Sequence, residues 1–414
     1  MHNTIPELLA PAGNFDKLVT AIHYGADAVY LGGEQYSLRA RAGNFDREMI
    51  KKAVVYAHDH DVKVYATVNI FAHNRDLENL DDYLRFLQAA GIDALIIADP
   101  GIFHIARKKV PGLPIHLSTQ ANVTNFASAR FWQKQGAVRL NLARELGLEE
   151  IREIRRHADM ELEIFVHGAL CISYSGRCML SNYFTGRDAN QGDCAHPCRY
   201  SYQLVEEKRP GQYFPVEEDK HGTYIFNSKD LCLLMRLPEL IAAGADSIKI
   251  EGRMKSIGYV GSVIRVYRAA LDWIKMQIIS GNSLEKLVLP QAFSNEIKKI
   301  GTRDRTENFF DAHPSNEAML YDTIRTRQGY VPAGIIRSVD PLLIDIRNPI
   351  ERGDRLEYLG RDIEPTPCIV VAMKTQEGKL INRANPGTKI ILQTEPVLNG
   401  ALEHSLLRKN MEGI

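Results

Sequence analysis

The chain has 414 residues, 45% of them apolar, with Lys+Arg and Asp+Glu both at 51 and a formal net charge of zero. That length suits a large domain with a small one, and zero net charge excludes a global field for collecting nucleic acid or anionic membrane, leaving only local basic patches. No run nears the roughly 18 apolar residues of a membrane span, and Met1 to Pro6 shows no basic segment leading into an apolar one, so a cytoplasmic protein without a membrane partner is expected.

In chain order, one unit recurs: a helix ending at Gly, a short apolar strand, a polar turn. Gly25 to Gly32, Gly91 to Asp99, Gly136 to Asn141 and Gly244 to Gly252 are its copies. Gly fits the left-handed position that ends a helix. Short, nearly continuous apolar runs fit strands buried on both faces. Eight strands are predicted near 7–11, 28–32, 63–69, 94–98, 114–118, 138–142, 162–167 and 247–251. Helices are predicted at 14–25, 47–60, 77–90, 101–109, 125–135, 147–158, 233–243 and 254–277. Alternating strands and helices imply a parallel sheet, and eight repeats favour a closed (β/α)8 TIM-type barrel over residues 1–278 against an open α/β sheet.

The alternation breaks once, in an insertion over 168–232 that follows the seventh strand and so falls on the catalytic face of such a barrel. It holds Cys171, Cys178, Cys194, Cys198 and Cys232, spaced C-x6-C-x15-C-x3-C-x33-C. Five clustered cysteines in a long chain expected in the cytoplasm read as metal ligands rather than disulfides. Thiolates suit zinc or an iron–sulfur cluster, and wide spacing favours the cluster, with zinc as the rival. Residues 279–326 read as an irregular polar connector. Residues 327–414 alternate in short runs broken by turns such as Asn385-Pro386-Gly387, predicting a small antiparallel β-barrel domain in which Cys368 is core.

Polar residues at predicted strand ends are candidate substrate contacts: Asn69, Asp99, Gln120, Asn141 and Glu145. His167 ends the seventh strand beside the cysteines, as a donor to cluster or substrate or as a structural imidazole. Arg177 and Arg187 suit a small dicarboxylate, or ion pairs with Asp188 or Asp193. Glu251, Arg253 and Lys255 end the eighth strand, where they hold an anion or close the barrel with ion pairs. Basic runs at Arg107 to Lys109, Arg152 to Arg156 and Lys298 to Arg305 read as solvated faces or as RNA contacts.

The segment from Glu163 through Gly168-Ala169-x-Cys171 to Gly176-x-Cys178-x-x-Ser181 resembles the signature of unassigned-peptidase family 32, the collagenase-like peptidases. Glu7 to Gly13, Tyr30 to Gly33, Asn190 to Cys194, Asn227 to Cys232 and Lys249 to Lys255 extend the resemblance over residues 6 to about 275. It implies relatives that hydroxylate a tRNA wobble uridine, ribosomal RNA or a ubiquinone precursor without oxygen gas, using a 4Fe-4S cluster with prephenate as oxygen source. Single-chain members with the terminal β domain resemble those giving 5-hydroxyuridine in tRNA. The implied ligands are Cys171, Cys178, Cys194 and Cys232, with Cys198 the spare. His167, Arg177, Glu251 and Arg253 then stand as catalytic candidates, and Asn69, Gln120, Asn141, Arg187 and Lys255 as substrate-binding ones. Proteolysis and a non-catalytic metal scaffold are the alternatives. The chain shows no H-E-x-x-H and no G-x-S-x-G, and Cys171 with His167 is the local pair for a cysteine protease. Homo-oligomerisation or a second related chain stays open.

Overall fold

A computed structural model describes residues 4–38, 44–170, 177–197, 204–205, 213–214, 217–219, 222–224, 229–301, 303–311 and 329–411. Seven strands run in order: β1 (Glu7–Pro11), β2 (Ala28–Gly32), β3 (Lys63–Val68), β4 (Ala94–Ile97), β5 (Ile115–Leu117), β6 (Arg139–Asn141) and β7 (Glu161–Gly168). After the insertion come β8 (Asp230–Cys232) and β9 (Ser247–Ile250). β1 to β7 pair in sequence, all parallel, and β9 closes the ring by pairing in parallel with both β7 and β1. The predicted closed eight-stranded barrel is therefore the fold, and all eight predicted strands are present.

The outer layer is α1 (Phe15–His23), α2 (Arg47–His58), α3 (Leu80–Ala89), α4 (Pro100–Lys109), α5 (Phe126–Gln135) and α6 (Leu148–His157). The insertion carries α7 (Leu180–Thr185), and α8 (Leu237–Ala242) and α9 (Ile257–Ile279) complete the ring. Asn14, Asp46, Asp99, Asn125 and Ser256 accept backbone N–H groups as N-caps. Gly136 and Gly244, at φ 94° and 92°, turn the chain from helix back into strand as expected.

Two elements depart from the sequence reading. β8 runs antiparallel to β7, setting Leu231 opposite Gly168 and Cys232 opposite His167, and β10 (Arg305–Thr306) extends it. The predicted connector contains α10 (Gln291–Lys298), whose Phe293 and Ile297 are buried. Its apolar stripe is one short turn pattern among polar residues, so composition hid it.

The terminal domain comprises β11 (Tyr330–Val339), β12 (Leu342–Ile346), β13 (Arg355–Leu359), β14 (Thr366–Thr375), β15 (Lys389–Glu395) and β16 (Leu406–Asn410). These close antiparallel in the order β13-β16-β11-β12-β15-β14, joined by β14 to β13. Cys368 is in its core.

This domain docks on the barrel through buried polar contacts. The Tyr24 hydroxyl donates to the Leu359 carbonyl and accepts from the Leu406 N–H, both at 2.8 Å. Glu296 on α10 takes Arg265 of α9 at 2.8 Å and Arg408 of β16 at 2.6 Å, all three sealed from solvent. Burial alone would push the Glu296 carboxyl up; the bonds and charges of Arg408 and Arg265 outweigh it and hold it at about 2. Its folded value lies below the unfolded one, so this stability is complete above about pH 4.5 and drains away as pH falls towards 2. Glu296→Gln is expected to cost about 3 kcal/mol at pH 7, because it leaves the buried Arg265 without a carboxylate and Arg408 with Glu357 alone. It should also flatten the acid limb of urea-unfolding stability between pH 4.5 and 2; an unchanged limb would contradict the assignment.

Candidate active site at the barrel mouth

Strand alternation decides which side chains enter the barrel. Leu8, Leu140, Leu162 and Ile248 join the core beneath the helices, while Glu7, Arg139, Glu163 and Lys249 turn inward. Glu163, 1% exposed, accepts from Lys249 Nζ and from Asn141 Nδ2, both at 2.8 Å, with Arg139 Nη1 at 3.5 Å. Arg139 also bonds Glu7 at 2.5 Å and Glu161 at 2.7 Å. Burial opposes its charge, but Glu7 and Glu163 outweigh burial and raise the guanidinium above its ordinary value. Lys249 lies 4.5 Å from the Tyr30 ring centre and 5.4 Å from that of Phe165. His116, buried beside Arg139 and Lys249, is held neutral by burial first and those charges second.

Above this layer opens a cavity of about 350 Å³ at the C-terminal ends of the strands. Its wall includes the expected Asn69, Gln120, Asn141, Glu251, Arg253 and Lys255, together with Cys178 and Cys194. Arg253 donates to Ser37 Oγ at 2.9 Å, and Gly32 makes room: a β-carbon there would meet the guanidinium at 2.1 Å. Lys255 sits 3.4 Å from Asp230, and Glu251 accepts from the Tyr30 hydroxyl at 3.3 Å. The sequence reading missed Lys249 and Arg144, which also line the cavity. Lys249 stands two residues before Glu251 at the end of the same strand, and that closeness was the available signal.

Other candidates lie off the cavity. His167 packs against Tyr259 and Tyr267, with Nδ1 3.3 Å from the Tyr267 hydroxyl. Burial first, then Arg305 and Lys255, depress it to about 3, so it is neutral near pH 7. Cys232, its strand partner, contacts Tyr267, and burial pushes its thiol up. Arg177 donates to the Gln120 carbonyl at 2.9 Å and lies over Phe71. Arg187 pairs with Asp193 at 2.9 Å and donates to the Cys194 carbonyl at 3.2 Å, which ties down the Cys194 loop. Asp99 caps α4. Among the basic runs, Lys109 pairs with Asp81, Arg152 with Glu149 and Lys299 with Glu296.

Cys171 and Cys198 lie outside the described residues. Among the described residues no three His, Cys, Asp or Glu side chains converge as a metal-holding group. The donor chemistry is nonetheless partly assembled. Cys178 and Cys194 face one cavity, Asn190 Nδ2 donates to the Cys178 carbonyl at 3.2 Å, and the His196 N–H points at Cys194 Sγ at 3.4 Å. Leu170, the chain neighbour of Cys171, lines the same cavity.

A parallel barrel with polar strand ends and a thiol-bearing wall after β7 defines a TIM-barrel protein whose chamber lies at the usual catalytic face. The chain belongs to peptidase family U32: the family's model matches residues 13–320, and the model of its C-terminal domain matches 328–408. It is 38% identical over 390 residues to tRNA hydroxylation protein P1 of Bacillus subtilis, covering 93% of this chain and 91% of that one. It is 38% identical to tRNA hydroxylation protein P of Escherichia coli, covering 86% of each. An uncharacterized protease of Methanocaldococcus jannaschii is 42% identical over 383 residues, covering 90% of each chain.

The Glu163–Lys249 pair makes a direct prediction. Lys249→Met should cost about 3 kcal/mol, because it leaves a buried carboxylate short of its cation. Glu163→Gln combined with Lys249→Met should cost less than the sum of the single changes in urea denaturation. Additive costs would show that the two groups do not interact.

Proposed function

We propose that this protein is an RNA-modifying enzyme of the cytoplasm that hydroxylates a tRNA wobble uridine at C5. In this reading it uses a 4Fe-4S cluster, and prephenate supplies the oxygen. The reading is carried by similarity along nearly the whole chain to tRNA hydroxylation proteins, at 38% identity over 93% of its length. The chemistry of the cavity supports it. Lys249, Arg253, Lys255 and Arg144 line one chamber and favour a small dicarboxylate such as prephenate.

Cys178 and Cys194 would hold the cluster from the cavity wall, with Cys171 after Leu170 and Cys232 behind β7 as the remaining ligands. Such a cluster supplies electron transfer and an iron site when bound. The chain's own groups bind and orient. Arg187 fixes the Cys194 backbone, Asn190 fixes that of Cys178, and the basic side chains hold the carboxylates. His167 is enclosed by Tyr259 and Tyr267, so it serves strand packing rather than proton transfer.

One contact favours a second reading: His196 Nδ1 lies 3.9 Å from Cys194 Sγ, on the cavity wall. A thiol–imidazole pair is the minimum of a cysteine peptidase. The two readings part on variants and readouts. In cells lacking tRNA hydroxylation, the wild-type gene should restore 5-hydroxyuridine-derived nucleosides in digested tRNA, measured by liquid chromatography and mass spectrometry. Cys178→Ala should reduce them at least about 100-fold while the protein stays folded. Absence of the nucleosides with the wild type, alongside casein cleavage abolished by Cys194→Ser, would replace hydroxylation with proteolysis.

A further inference from the structure

Among the described residues, three cavity-lining side chains carry a buried polar atom with no hydrogen-bond partner: Arg144 at Nε and, paired in position on adjoining elements, Gln120 at Nε2 and Asn141 at Oδ1. Gln120 and Asn141 are buried, at 4% and 2% exposure, and line the mouth cavity from the turn after β5 and from the end of the neighbouring β6. A buried unpaired donor and a buried unpaired acceptor lining one cavity are costly and call for a ligand that completes them.

The polarity of each amide is fixed by its neighbours. The Leu38 N–H donates to Asn69 Oδ1 at 3.2 Å, so Asn69 turns Nδ2 towards Gln120 and donates to its Oε1 at 3.1 Å. Gln120 is left with its NH₂ to give. Glu163 can only accept, so it takes Asn141 Nδ2 at 2.8 Å and leaves Asn141 Oδ1 free to accept. These two amides therefore show the cavity one donor and one acceptor in a defined order.

We infer that Gln120 and Asn141 form a pyrimidine-edge reader specific for the imide of uracil, with Asn69 and Glu163 as positioning residues that set its polarity. Gln120 Nε2 donates to O4, and N3–H donates to Asn141 Oδ1. In the same pose cytosine sets its N4 amino group against the Gln120 NH₂ and its N3 lone pair against Asn141 Oδ1, a double mismatch. The choice of a nucleobase rests on the RNA-hydroxylation reading; the donor–acceptor order rests on the hydrogen bonds alone.

The test is equilibrium binding of uridine, 3-methyluridine and cytidine to the purified full chain by ligand-observed NMR. Uridine should bind, with 3-methyluridine and cytidine at least about 10-fold weaker. Asn69→Asp changes no cavity volume but removes the donor that orients Gln120, so Gln120 turns its NH₂ away and shows an oxygen to O4. That variant, and Gln120→Met, should each weaken uridine binding at least about 10-fold with an unchanged melting temperature. No uridine binding by the wild type, equal binding of the three nucleosides, or wild-type affinity in both variants overturns the inference. Unmodified tRNA with this binding pattern intact would reject the hydroxylation reading alone. Hydroxylated tRNA with indifferent variants would reject the edge reader alone.

Discussion

The carboxylate of Glu163, sealed inside the barrel between Lys249, Asn141 and Arg139, is the constraint on which the rest of the mouth depends. A buried charge persists only when its lone pairs are met, and here donors from two neighbouring strands meet them. β6 supplies Asn141 and Arg139, β9 supplies Lys249, and β7 carries the acid itself. Arg139 carries the linkage on to Glu7 of β1, which also accepts from Tyr65 of β3 at 2.7 Å. Five strands are thus tied across the barrel by directional bonds that apolar packing alone would not orient.

That rigid floor gives the cavity its chemical character. It raises Lys249 into the chamber, fixes the face that Asn141 presents, and leaves the upper wall to the insertion after β7. The insertion is in turn pinned by Arg187, Asn190 and the Ser181 hydroxyl, which takes the Ala195 N–H at 2.8 Å. Cys178 and Cys194 reach the chamber from this pinned segment, while Cys232 lies off it, on the antiparallel strand beside β7 and against Tyr267. Below, α9 carries the load of the second domain through Arg265, so the barrel helix nearest β9 is held from both sides.

Much of the fold could be read in the sequence because a parallel strand buried on both faces leaves a short apolar run, eight of which alternate with helices and four of which follow a helix-ending Gly. The inward charges were harder to read. Glu163 and Lys249 look like ordinary surface residues until strand parity is combined with barrel closure, which brings residues 86 positions apart to 2.8 Å. β8 was hidden because its pairing with β7 is antiparallel and three residues long. Polar strand ends were legible as a group: Asn69, Gln120, Asn141, Glu251, Arg253 and Lys255 all reach the cavity. For the flanking arginines and His167 the sequence left two readings open each: Arg187 takes the ion pair with Asp193 and His167 packs with Tyr267, while the Gln120 carbonyl that engages Arg177 is distant in sequence and was not foreseen.

The central claim is that the thiol wall over this charged floor is a redox centre. Anaerobic purification followed by iron, sulfide and zinc analysis with an optical spectrum tests it most directly. About four irons and four sulfides per chain, with a broad visible band that bleaches on reduction, is the expected result. One zinc per chain without sulfide would contradict it and turn the same cavity towards hydrolysis or a structural metal.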